Sequence, residues 1–194
     1  MTPAPDHKGN TLLWLARNAV EASFARVPVV VPEEPWLRAP GASFVTLHQS
    51  GELRGCVGSI EAHRPLGVDV VSTARSAAFD DLRFEPLVED ELALLHFEVS
   101  VLSPLSPFLV RDEDDALSRL VPERDGVLLA WGPFRGVFLP KVWEQVPDPR
   151  EFLAHLKTKA GLPPDFWSSG MTLQTFTTEV FSERERAPVQ DDAS

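Results

Sequence analysis

The sequence is short of sulfur and of basic charge, and it has no long apolar run. Cys56 is the one cysteine in 194 residues, so no intramolecular disulfide and no cysteine-rich zinc site can form. A lone thiol fits a reducing, cytoplasmic compartment. Lys and Arg total 18 against 29 Asp and Glu, a net charge of −11. That balance argues against a nucleic-acid partner, because phosphate affinity comes from clustered basic residues. No stretch reaches the roughly 18–20 apolar residues of a membrane-spanning helix. The opening Met1-Thr2-Pro3-Ala4-Pro5-Asp6-His7 has no apolar segment of the kind a secretory signal needs. His7, His48, His63, His96 and His155 form no pair at i,i+2 or i,i+4, so no metal site is expected. Gly55-x-x-Gly58 lacks the further glycine and the Lys-Ser/Thr of a phosphate loop, and no cofactor is expected.

What is present is an ordinary globular mixture, 43% hydrophobic and 24% charged. The expected organisation is a flexible leader over 1–9, a single domain over 10–183 and a solvated, disordered tail over 184–194. Three helices stand out. One runs from Asn10 to Val27 on a stripe of Leu13, Ala16, Val20, Phe24 and Val27, with Pro28 as its stop. A second starts at Pro65 and carries Leu66, Val70, Ala74, Ala77 and Ala78. A third runs from Pro149 to Ala160, with Asp148 and Glu151 at capping-box spacing and Gly161 and Pro163 at its end. Between them lie strand-like runs. Ala42–His48 and Leu53–Ile60 flank Ser50-Gly51 and read as a hairpin. Leu94–Leu102 alternates, with Leu95, Phe97, Val99 and Val101 on one face and His96, Glu98 and Ser100 on the other. Gly126–Trp131 and Gly136–Leu139 form a second hairpin, and Leu173–Phe181 a last strand. Hairpins joined by helical detours predict an α+β fold around a mostly antiparallel sheet with flanking helices.

Several segments together resemble one known family. Leu53-Arg54-Gly55-Cys56-Val57-Gly58 is similar to the Leu-Arg-Gly-Cys-Ile-Gly hallmark of the AMMECR domain family, with Val57 in place of isoleucine. In order down the chain, Asp81-Leu82-Arg83-Phe84-Glu85-Pro86 resembles the family's Asp-x-Arg-Phe-x-Pro segment, and Glu98-Val99-Ser100-Val101-Leu102 its Glu-Val-Ser-Val-Leu strand. Asp125-Gly126-Val127, Phe138-Leu139-Pro140-x-Val142 and Lys159-Ala160-Gly161-Leu162 match later blocks. The resemblance covers residues 10–183. Lys141, where the family often has Gln, and Phe79-Asp80 depart from the pattern. The resemblance implies an α+β fold with a larger sheet-bearing part and a smaller, mainly helical part. It assigns no reaction. It implies a shared pathway with a Memo-type protein and a radical S-adenosylmethionine protein.

Cys56 is the candidate nucleophile. On an extended strand Arg54 and Cys56 project to the same face, roughly 7 Å apart, and a guanidinium beside the sulfur favours the thiolate. Gly55 and Gly58 leave room for a ligand or for close backbone approach. The plain alternative is an inert buried thiol. If Ser50-Gly51 is a two-residue turn, Cys56 pairs with Val45 and shares its face with Val45 and Leu47, while His48 lies on the opposite face. Glu98 and Ser100 have the types needed for acid–base work, although alternation alone places polar residues on any solvent-facing sheet. Asp81 and Arg83 are either a local ion pair at a helix end or the rim of an anion-binding pocket. Lys159 suits a helix C-terminus without any function. Trp131, Phe134, Trp143 and Trp167 read as packing residues rather than a cofactor cage.

Two functions from different classes follow. The first is a thiol-using, enzyme-like domain with Cys56, Glu98 and Arg54 as catalytic residues and Gly55, Gly58, Asp81, Arg83 and Ser100 around a small substrate. The second is a non-catalytic module that docks the Memo-type protein through exposed residues near Phe134 or Trp143.

Overall fold

The computed structural model describes residues 5–183. In chain order its elements are α1 (Pro5–Ala25), α2 (Pro35–Arg38), β1 (Pro40–Gln49), β2 (Glu52–Gly58), β3 (Arg64–Pro65), α3 (Leu66–Phe79), β4 (Leu95–Leu102) and β5 (Ser106–Pro107). Then come α4 (Glu113–Arg119), β6 (Gly126–Trp131), β7 (Phe134–Phe138), α5 (Pro149–Lys159), β8 (Thr172–Phe176) and β9 (Thr178–Ser182). The fold is α+β. Its strand pairings β1–β2, β1–β3, β5–β8, β6–β7 and β6–β8 are antiparallel. The chain divides into two compact units, the first up to Val101 and again from Val180, the second from Leu102 to Glu179.

In the first unit the strands run in the order β2-β1-β4-β9, with β3 beside β1. Val45, Leu47, Phe97 and Val99 are fully buried and pack with Leu12, Leu15, Ala16 and Ala19 of α1 and Val70, Ala74 and Ala77 of α3. Burying each such large apolar side chain contributes about 1.5–3 kcal/mol, so this set decides which face of the sheet the helices cover. The expected α3 stripe, Leu66, Val70, Ala74, Ala77 and Ala78, is buried throughout. One buried carboxylate ties four segments together. Asp69, in the first turn of α3 and 1% exposed, accepts from the Ser43 backbone N–H at 2.8 Å, the Ser43 hydroxyl at 2.7 Å, the Ser59 hydroxyl at 2.9 Å and Arg64 Nε at 2.8 Å. A buried carboxylate is tolerated only with such full satisfaction.

The second unit has a sheet of its own, ordered β5-β8-β6-β7. Its core joins Val127, Leu129 and Leu173 to Phe152, Leu153 and Leu156 of α5. Trp143 stacks on Phe152 at 3.7 Å and 3°. The Asp148 side chain caps α5 by accepting from the Arg150 and Glu151 backbone N–H groups, as the sequence predicts.

Four element boundaries differ from expectation. Helix α1 begins at Pro5, inside the stretch expected as a leader, and ends at Ala25 because Arg26 adopts a left-handed φ of 54°. Residues 1–4 and the expected tail 184–194 lie outside the described residues. The second hairpin is tighter than predicted, since Trp131 pairs with Phe134 across Gly132-Pro133. The expected strand Leu173–Phe181 is two strands in different sheets, broken at Thr177. There the Ser103 hydroxyl accepts the Thr177 N–H at 2.9 Å, and the Thr177 carbonyl accepts the Ser103 N–H at 2.9 Å. Helix α4, capped by Asp112 through the Asp115 N–H, was not foreseen.

Candidate functional site

The site is built on the β1–β2 hairpin. Ser50 and Gly51 both have positive φ, 53° and 83°, the two-residue turn whose twist matches flanking strands. Gln49 pairs with Glu52 and His48 with Leu53. The register then shifts, and Leu47 pairs with Gly55, Thr46 with Cys56 and Val45 with Val57. Arg54 is the extra residue of a β-bulge. The predicted pairing of Cys56 with Val45 is therefore wrong by one residue, and because side chains alternate along a strand, the faces invert. Cys56 leaves the core face of Val45 and Leu47 and joins Thr46 on the face opposite α1 and α3. It is partly exposed, and the Thr46 hydroxyl donates to its sulfur at 3.4 Å. His48, two residues along β1 from Thr46, is on this face too, contrary to expectation. Regular alternation on β4 adds His96, Glu98 and Ser100. His96 Nε2 lies 3.0 Å from the Ser182 hydroxyl of β9.

The same geometry separates residues that the sequence reading groups. Strand β1 lies between β2 and β4, so Cys56 and Glu98 share a face but are about 10 Å apart across the strands. Thr46, which sequence reasoning passed over, is the neighbour of the sulfur. Ser100 is 8% exposed, a buried member of the polar row. The spaces at the two glycines are filled. A Cβ on Gly55 would sit 2.1 Å from the Ala77 carbonyl oxygen, and one on Gly58 would sit 2.2 Å from the Phe44 ring. Close approach of α3 and of Phe44 accounts for both.

Strand β2 is a sheet edge, and its peptide at Cys56 is clasped from outside. Asp81 Oδ2 accepts the Cys56 N–H at 2.9 Å, and Arg83 Nη2 donates to the Cys56 carbonyl at 3.3 Å. Arg83 also forks onto Asp81, with Nε to Oδ1 at 2.9 Å and Nη2 to Oδ2 at 2.7 Å. The Arg83 hydrogen bond holds the Asp81 carboxyl far below the usual carboxylate range against an opposing desolvation, with the Cys56 and Arg83 N–H groups adding to it. Arg83 is raised, chiefly by Asp81, against desolvation, with the charges of Asp81 and Cys56 contributing. The outward-facing member of the pair is the cation, since Arg83 is 56% exposed and Asp81 is 7% exposed. The ion-pair reading of these two residues is met, with a strand-edge clasp that sequence could not show.

Arg54, expected beside the thiol, is engaged elsewhere. Its Nε and Nη2 meet Glu91 Oε1 and Oε2 at 2.8 and 3.0 Å, which lowers the Glu91 carboxyl against desolvation, with the Val88 N–H and the Arg54 charge assisting. Phe84 has Arg54 6.0 Å and Arg83 5.4 Å from its ring centroid. In the second unit, Lys159 donates to the Val137 carbonyl at 2.9 Å. Trp131, Phe134 and Trp167 pack against the core. Trp143, near which exposed docking residues are expected, is itself 1% exposed. Among the described residues no three His, Cys, Asp or Glu side chains converge in a metal-binding group, and no helix is long and apolar enough to cross a membrane.

By its fold the chain is an α+β protein of two sheet-bearing units, the first with an edge strand clasped at Cys56. The chain belongs to the AMMECR1 family, whose model matches residues 13–181. It is 36% identical over 183 residues to protein MJ0810 of Methanocaldococcus jannaschii, covering 92% of this chain and 91% of that one. A protein of Methanothermobacter thermautotrophicus is 37% identical over 188 residues, covering 93% and 97%. The crystal structure of PH0010 from Pyrococcus horikoshii superposes with a TM-score of 0.83 at 34% identity, covering 90% of this chain and 91% of that one.

Proposed function

We propose that this AMMECR1-family protein is a thiol-using, enzyme-like domain of the cytoplasm that acts through Cys56 on a small substrate. The observation that carries the reading is the bulge at Arg54, which takes the sulfur off the core face and sets it beside the Thr46 hydroxyl. A partly exposed sulfur is one that an electrophile can reach. His48, on the same face, is the proton-transfer group of this reading, and Arg83, the exposed half of the clasp at the Cys56 peptide, is the cation that meets the substrate. Glu98, two strands away, and Ser100, buried, take no direct part. The family resemblance supports a pathway shared with a Memo-type protein and a radical S-adenosylmethionine protein. The test is alkylation of the native protein with iodoacetamide at neutral pH. The expected rate matches or exceeds that of a model thiol; labelling that appears only with unfolding removes the reading.

One observation favours the second reading, a partner-docking module. Leu82, between the two clasp residues, is 100% exposed, an arrangement that suits an apolar pocket on a partner. Under that reading Cys56→Ala retains co-purification with the Memo-type protein and Leu82→Glu abolishes it. Under the enzyme reading Cys56→Ala abolishes turnover in the pathway with the complex intact.

A further inference from the structure

We infer that Arg54 acts on Cys56 as a positioning residue, by holding the strand register that exposes the sulfur, and not through its charge. The turn at Ser50-Gly51 starts the hairpin with Gln49 opposite Glu52 and His48 opposite Leu53. An uninterrupted ladder from that start places Leu47 opposite Arg54, Thr46 opposite Gly55 and Val45 opposite Cys56. Cys56 would then face the core with Val45, which is fully buried. Gly55 would leave its seat under the Ala77 carbonyl, 2.1 Å from where a Cβ would lie, and its place would pass to a residue that has one. The observed register avoids both by storing one extra residue, and that residue is Arg54.

The extra residue is tied down on the far side. Arg54 and Glu91 meet by two parallel hydrogen bonds with side chains only 15% and 21% exposed. Glu91 is itself fixed, since its Oε2 accepts the Val88 N–H at 3.0 Å at the start of the 3₁₀ turn Glu89–Leu94. A bidentate, partly buried guanidinium–carboxylate pair has defined geometry as well as strength. Its charge is matched by Glu91, so what Arg54 transmits to Cys56, two residues on, is place. The clasp completes the lock. With the Cys56 N–H on Asp81 and its carbonyl on Arg83, both point away from β1. Thr46 and Cys56 are therefore a non-hydrogen-bonded pair, the kind with the closer Cα atoms and side chains.

The inference rests on the thiol reading for its catalytic consequence only, because the register can be observed directly. A non-hydrogen-bonded pair gives a strong cross-strand Hα–Hα contact by NMR, here between Thr46 and Cys56. Arg54→Gln, Glu91→Gln and the charge-swapped Arg54→Glu/Glu91→Arg double variant are compared, with iodoacetamide labelling measured beside the NMR. Both single variants are expected to lose the Thr46–Cys56 contact and to label about tenfold more slowly, as a thiol exposed only by local opening does. The swap restores both. An intact contact in the single variants, or a folded swap that restores neither, overturns the inference. So does a labelling rate that falls with Arg54→Gln and not with Glu91→Gln, which is the signature of charge. If Arg54→Gln does not fold, Arg54→Lys decides, since it keeps the charge and loses the fork; a retained contact there overturns the inference. Slow labelling of the native chain with the Thr46–Cys56 contact present would sink the thiol reading and leave the register assignment standing.

Discussion

The Asp81 carboxylate reaches 25 residues back along the chain to accept the Cys56 backbone N–H at 2.9 Å. It thereby occupies the edge of β2, where an open strand would present unpaired groups. This contact makes Asp81 one contributor to the acid stability of the first unit. The folded-state pKa of Asp81 is depressed, so its contribution is fully present above the unfolded value of about 3.9. It is lost as pH falls below that value toward the folded one. Asp81→Asn is expected to be less stable than the parent at neutral pH. The gap between the two should close as pH is lowered below about 4, followed by urea unfolding at each pH.

Arg83 presents the exposed half of the clasp to whatever approaches the sulfur. The ratio of Cys56 labelling rates with anionic iodoacetate and neutral iodoacetamide reports that charge. Replacing Arg83 by Gln is expected to lower the ratio about threefold at low ionic strength, the effect of one unit charge some 6 Å away in water. An unchanged ratio would remove Arg83 from any role in anion recognition.

The glycines of the hairpin separate space from backbone conformation. Gly55→Ala drives a methyl group into the Ala77 carbonyl and is expected to cost about 3 kcal/mol or more in denaturant unfolding. Gly51→Ala meets nothing within 4 Å but keeps a φ of +83°, at a cost of about 1 kcal/mol. Equal losses would mean that α3 does not approach β2 closely.

The second unit holds a buried cation. Lys157 is 1% exposed and donates to Glu113 at 2.8 Å, while Glu113 is 24% exposed. The two ends should respond unequally. Glu113→Ala strands an ammonium in the core and is expected to cost about 3 kcal/mol. Lys157→Met fills similar volume and leaves a carboxylate that water can reach, costing less than about 1.5 kcal/mol. Thermal or urea unfolding of both variants checks the asymmetry.

Much of the architecture is legible from the sequence because it depends on neighbours. The apolar stripe of α3, the Asp148 cap of α5, the alternation of β4 and the Ser50-Gly51 turn are local consequences of side-chain period and backbone preference. The break at Thr177 was not legible, since nothing in Leu173–Phe181 itself interrupts a strand; the partner that splits it is Ser103. The candidate site was half legible. Residue types at Cys56, Glu98, Asp81 and Arg83 stand out, but their mutual placement does not.

The sequence by itself determined the α+β class, the principal helices and strands, the net acidity, and that its one thiol lies on a glycine-flanked strand. Only the tertiary structure decided which way that thiol faces, which cation adjoins its peptide, and that β1 stands between it and Glu98. The physical reason is that a strand has a period of two. A single bulged residue, stabilised by a carboxylate 37 positions away, inverts every subsequent side chain. No local pattern carries that information.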